Sequence, residues 1–60
     1  MEVGDLLLEM TSGDIALVLK KLKHRGHWLV LWSDSQSPTP LDDILITSGY
    51  IKVLGKHEPR

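Results

Sequence analysis

Five groups of side chains in this 60-residue chain have types that could support chemistry, and each is tested by what its spacing allows. His24 and His27 sit three residues apart across Gly26, and two imidazoles could share a transition metal. No cysteine exists anywhere in the chain and no carboxylate lies beside the pair in sequence, so the set is incomplete and no metal is expected. Asp42 and Asp43 resemble a carboxylate pair for acid/base work, but adjacent residues on a strand point to opposite faces. A turn or a helix cap is the simpler role. Ser33, Ser35 and Ser37 lie in a loop without the pattern that sharpens a serine into a nucleophile. No catalytic residue and no cofactor is expected, and a chain this small has little room for a concave pocket.

The fourth group is basic. Lys20, Lys21, Lys23 and Arg25 place four cations in six residues, with Trp28 close behind, a combination that can hold phosphate while an aromatic ring stacks on a base. A solvated hairpin tip has the same composition. Seven Lys and Arg against eight Asp and Glu leave a net charge of −1, so no global field draws the chain to nucleic acid or to anionic lipid.

The fifth group is apolar. "HRGHWLVLW" is a basic turn followed by an uncharged run in which Trp28, Val30 and Trp32 point one way and Leu29 and Leu31 the other. A strand with one face to water alternates apolar with polar residues, and this one does not. If the tryptophan face fills the core, Leu29 and Leu31, with Leu17 and Leu19, lie outside and offer a contact surface. If the faces are inverted, Trp28 and Trp32 make the contact. The candidate partner-binding residues are therefore Leu17, Leu29, Leu31, Trp28 and Trp32.

The elements that must carry these groups follow from the punctuation. Apolar runs at Leu6 to Leu8, Ile15 to Leu19, Trp28 to Trp32, Leu41 to Ile46 and Tyr50 to Leu54 are separated by turn chemistry at short intervals. Five such runs predict an all-β meander, with Gly13 and Gly26 supplying the positive φ of tight turns. Pro38 and Pro40 assign "DSQSPTP" to a loop, so that Leu41 opens the next element, with a short helical turn expected near Pro40 to Ile44. Ile15, Val18, Leu19 and Leu22 also fit helical spacing between Asp14 and Gly26, which leaves a helix over 15–24 as the rival. Residues 1–55 form the expected domain and 56–60 a polar, frayed tail.

The opening "VGDLLLEM", then "SGDIALVL", "WLVLW" and "GYIKVL", resemble in order a small five-stranded SH3-like barrel of the KOW and Tudor-like kind, over residues 3–54. Val3-Gly4-Asp5-Leu6 matches the family's opening strand, Gly13 its first turn and Ile51-Lys52-Val53 its closing strand. The chain departs from the pattern at Ala16, where KOW-type sequences often have glycine, and in the long loop Asp34 to Pro40. The opening also resembles that of short uncharacterised proteins of tailed bacteriophages, including phages of cyanobacteria. The resemblance implies an interaction module without catalysis, in a virion or a bacterial cytoplasm. Tudor-like readers cage a methylated side chain with aromatics, but Trp28 and Trp32 lie about 13 Å apart along a strand that rises about 3.3 Å per residue. They cannot form one cage by themselves.

Size supplies the last constraint. A 60-residue chain buries only about 60% of the surface its unfolded form exposes, and disulfides are excluded here. Association is the remaining support. A protein partner, either a second copy or a larger protein, is expected first; nucleic acid is second and weak. No apolar run approaches a membrane span, and "MEVGDLLLEM" is too short and too acidic for a signal peptide.

Overall fold

The computed structural model of the protein describes residues 1–56. Five strands and one short helix follow in order: β1 (Asp5–Glu9), β2 (Ile15–Lys21), β3 (His27–Trp32), β4 (Thr39–Asp42), α1 (Ile44–Thr47) and β5 (Ile51–Lys56). They form one antiparallel sheet in the order β4-β3-β2-β1-β5, so the fold is all-β. No ladder joins β4 to β5 among the described residues, and these strands are the two edges.

Residues 15–21 are strand, which decides between the two readings of that segment. Helical spacing of Ile15, Val18 and Leu19 is outweighed by pairing on both sides, with β1 and β3 each taking part of β2 into a ladder. The β-branched residues in the segment fit the same outcome. The turns close as their glycines require: Gly13 has φ +79° and donates to the Glu9 carbonyl at 2.8 Å, and Gly26 has φ +78°.

Two boundaries differ from expectation. The run Leu41 to Ile46 does not stay extended, because Asp42 Oδ1 accepts the Ile44 N–H at 3.1 Å and the chain turns into α1. Helix therefore covers Ile44–Thr47 where a turn near Pro40 to Ile44 was expected. Pro40 lies inside β4, opposite Leu29, and does not end the loop. An edge strand tolerates it, since only one side of β4 has a partner to lose. At the other end Lys56 is the last residue of β5, not the first of a tail. The remainder of the expected tail, 57–60, lies outside the described residues.

The core consists of Leu7, Ala16, Val18, Val30, Leu41 and Ile51, with Met1, Trp28, Trp32, Ile46 and Val53 packed against it. Leu41 comes from one edge strand and Ile51 from the other, and both reach the cluster that Val18 occupies at the sheet's centre. For that to occur the sheet must curl around its inner face.

Candidate functional site: the outer face of the sheet

Register fixes what the other face carries. Leu7, Ala16 and Trp32 align across β1, β2 and β3 on the inner side, as do Val18 and Val30. The residues between them therefore point outward. Leu6, Leu17 and Leu31 form one outward row across the three strands, and Leu8 and Ile15 form the next. A bulge at Leu19 shifts the register so that Lys20 stands opposite Leu29. Leu6, Leu8, Ile15, Leu17, Leu19, Leu29 and Leu31 make seven aliphatic side chains outside, against six residues in the buried core. Each is only half-buried, because in a continuous layer neighbours shield one another while the layer as a whole faces out.

Between these residues lies a shallow trough of about 330 Å³, lined by Leu6, Ile15, Leu17 and Leu31 and closed at one end by Ser33 and Ser35. No charged side chain lines it. Lys52 stands opposite Leu8 at one margin and Lys20 opposite Leu29 at the other, so the band is apolar in the middle and cationic at two ends.

Of the residues singled out in sequence, Leu17, Leu29 and Leu31 are thus brought onto one surface. Trp28 and Trp32 are not with them: both pack against the core on the opposite face. Leu6, Leu8 and Ile15 complete the surface and were missed, although the alternation in "DLLLE" that buries Leu7 is the signal that exposes Leu6 and Leu8.

The basic residues do share one place. Lys20, Lys21, Lys23 and Arg25 are exposed at and beside the β2–β3 turn, and among the described residues none of them is ion-paired. Trp28 stands opposite Lys21, whose Nζ lies 5.8 Å from the ring centroid. With its other side on the core, that ring has no free face to offer a base.

The two histidines meet edge to face with centroids 5.8 Å apart. His27 Nδ1 lies 3.1 Å from the Arg25 carbonyl and Nε2 3.8 Å from Asp42, so the carboxylate that approaches comes from β4. Among the described residues no three His, Cys, Asp or Glu side chains converge as metal ligands would. Asp42 and Asp43 serve the turn into α1: Asp42 accepts the Ile44 N–H, and the Asp43 N–H donates to the Gly26 carbonyl at 2.7 Å. Ser35 Oγ donates to the Ser37 carbonyl at 3.0 Å within its own loop, and no histidine contacts it.

One polar cluster escaped the sequence reading. Asp5 is buried at 7% exposure and accepts the Glu2 N–H at 2.8 Å. Across the β1–β5 ladder, Lys56 Nζ donates to the Val3 carbonyl at 2.8 Å and lies 2.7 Å from Glu2 and 3.7 Å from Asp5. The hydrogen bond to Glu2, with the charges of Glu2 and Asp5 behind it, holds the Lys56 ammonium above the usual lysine range.

A smaller apolar patch surrounds α1, which buries none of its residues and leaves Ile44 and Leu45 exposed beside Met10 and Tyr50. No family model, curated protein or solved structure matches the chain. Among the described residues no helix is long and apolar enough to cross a membrane.

Proposed function

We propose that the chain is a non-catalytic interaction module whose outer sheet face docks on protein, either another copy of itself or a larger assembly. The observation that carries this reading is the distribution of aliphatic side chains, more of which lie in the uncovered layer than in the core. Covering a leucine fully contributes about 1.5–3 kcal/mol, and a 60-residue chain has only about 3–9 kcal/mol of stability in total. A partner on this face therefore changes the folded fraction as well as the location of the chain.

An SH3-like reading of the sheet is supported by the strand order and by the one-turn helix between β4 and β5. The likeness to short proteins of tailed phages makes a virion or an accessory assembly the first setting in which to seek the partner. The test is affinity capture with tagged wild-type chain and tagged Leu17→Lys, in cells that also express the untagged chain. Wild type is expected to retain protein that Leu17→Lys loses. Equal recovery by the two baits would sink the reading.

A second reading rests on the four unpaired cations at the β2–β3 tip: weak, sequence-independent binding of nucleic acid through phosphate charge. Four neutralised phosphates give a slope of about −3 to −4 in log K against log salt. Binding is then lost at moderate salt and by the triple change of Lys20, Lys21 and Arg25 to Glu. Salt-insensitive nanomolar binding would point to a different surface.

A further inference from the structure

Resting on the docking reading above, we infer that the occupant of the outer face is a second copy of this chain, packed sheet to sheet about a two-fold axis that passes near Leu17. A two-fold contact demands that one patch supply both knob and hole. This face does so: the trough lined by Leu6, Ile15, Leu17 and Leu31 is flanked on the same surface by Leu8, Leu19 and Leu29, which do not line it. Leu17, paired with Leu6 on one side and Leu31 on the other, is central.

Charge favours the same occupant. The band itself is uncharged, so an identical face brings no unpaired charge into it. Lys20 and Lys52 stand at its margins, where both remain in water. With a net charge of −1 per chain, two copies repel each other little.

The dimensions decide how tight the pair is. Two strand spacings of about 4.8 Å and five rises of about 3.3 Å give a band of roughly 10 by 16 Å between Cα positions. Even with the side chains at its margin, this falls short of the roughly 800 Å² per partner in a standard interface. A dimer in rapid exchange, dissociating in the micromolar range, is the expected strength.

The experiment uses the full chain, purified, in sedimentation equilibrium from about 1 µM to 1 mM. Wild type is expected to pass from a mass of 6.8 kDa to twice that value, and Leu17→Glu to weaken association at least tenfold. Because the chain has no cysteine, Leu17→Cys places a single thiol near the proposed axis without adding charge. Diamide, accepting two electrons and two protons from two thiols, should convert it to a disulfide-linked dimer. Thr47→Cys on α1 should remain monomeric under the same conditions.

A wild-type chain that stays monomeric to 1 mM overturns the second copy. So does a dimer in which Thr47→Cys links as fast as Leu17→Cys, since the contact then lies elsewhere. If the captured protein is a different chain held in a Leu17-dependent way, docking stands and self-association falls. If neither occurs, both fall.

Discussion

Lys56 shows how one side chain can join the two ends of a small sheet. Its ammonium reaches the Val3 carbonyl, Glu2 and the buried Asp5, residues that precede it by more than fifty positions. Because its partners raise its pKa in the folded chain, its contribution is fully present below the unfolded lysine value of about 10.4 and is lost as pH rises through the folded value. Urea unfolding of wild type should therefore show a midpoint that falls above pH 10, and Lys56→Met should remove that fall while lowering the midpoint at neutral pH. An unchanged alkaline profile in Lys56→Met would mean that another group governs it. Nothing in the sequence announced this cluster. Asp5 and Lys56 become neighbours only through the β1–β5 register, and a contact between the two ends of a chain has no local signature.

At the scale of an element, β1 offers the cleanest comparison, since Leu6 and Leu7 are the same residue one position apart on opposite faces. Leu7 is fully buried, and Leu7→Ala should cost about 2–5 kcal/mol by leaving a cavity. Leu6 lies half-buried on the outer face, so Leu6→Ala in dilute chain should cost about 1 kcal/mol or less, by the smaller area it takes from water. Urea midpoints measured near 1 µM distinguish the two, and equal losses would mean that the outer face is already covered within the chain. The same period of two explains what was legible beforehand. It put Trp28, Val30 and Trp32 on one side of β3 and Leu29 and Leu31 on the other, and the structure decides which side is inner. Where the period breaks, reading from sequence fails. Leu41 to Ile46 is apolar enough for a strand, but Asp42 captures the Ile44 N–H and diverts it into α1, so the patch of Ile44, Leu45, Met10 and Tyr50 had no sequence precursor. Pro40 misled for a related reason, because whether a proline fits a strand depends on that strand's place in the sheet.

For the whole molecule, stability and association are one question. Three large side chains, Leu7, Val18 and Val30, are fully buried, and this is a small core from which to hold five strands together. A partner that binds only the folded state adds RT ln(1 + [L]/Kd), which is about 2.7 kcal/mol at a hundred times Kd. For a domain of this size 1 kcal/mol moves the melting temperature by about 4–8 °C, so the gain corresponds to about 10–20 °C. Melting followed by far-ultraviolet circular dichroism should accordingly rise by that amount between concentrations well below the dimer Kd and a hundredfold above it. Leu31→Ser, on the outer face, should flatten the dependence while keeping a β spectrum, since its side chain lies outside the core. The basic tip provides the control: reversing Lys20, Lys21 and Arg25 changes charge at exposed positions of the β2–β3 hairpin and should leave most of the concentration dependence in place. A melting temperature constant from micromolar to millimolar chain would show that the outer leucines gain no cover from another copy, whatever else they bind.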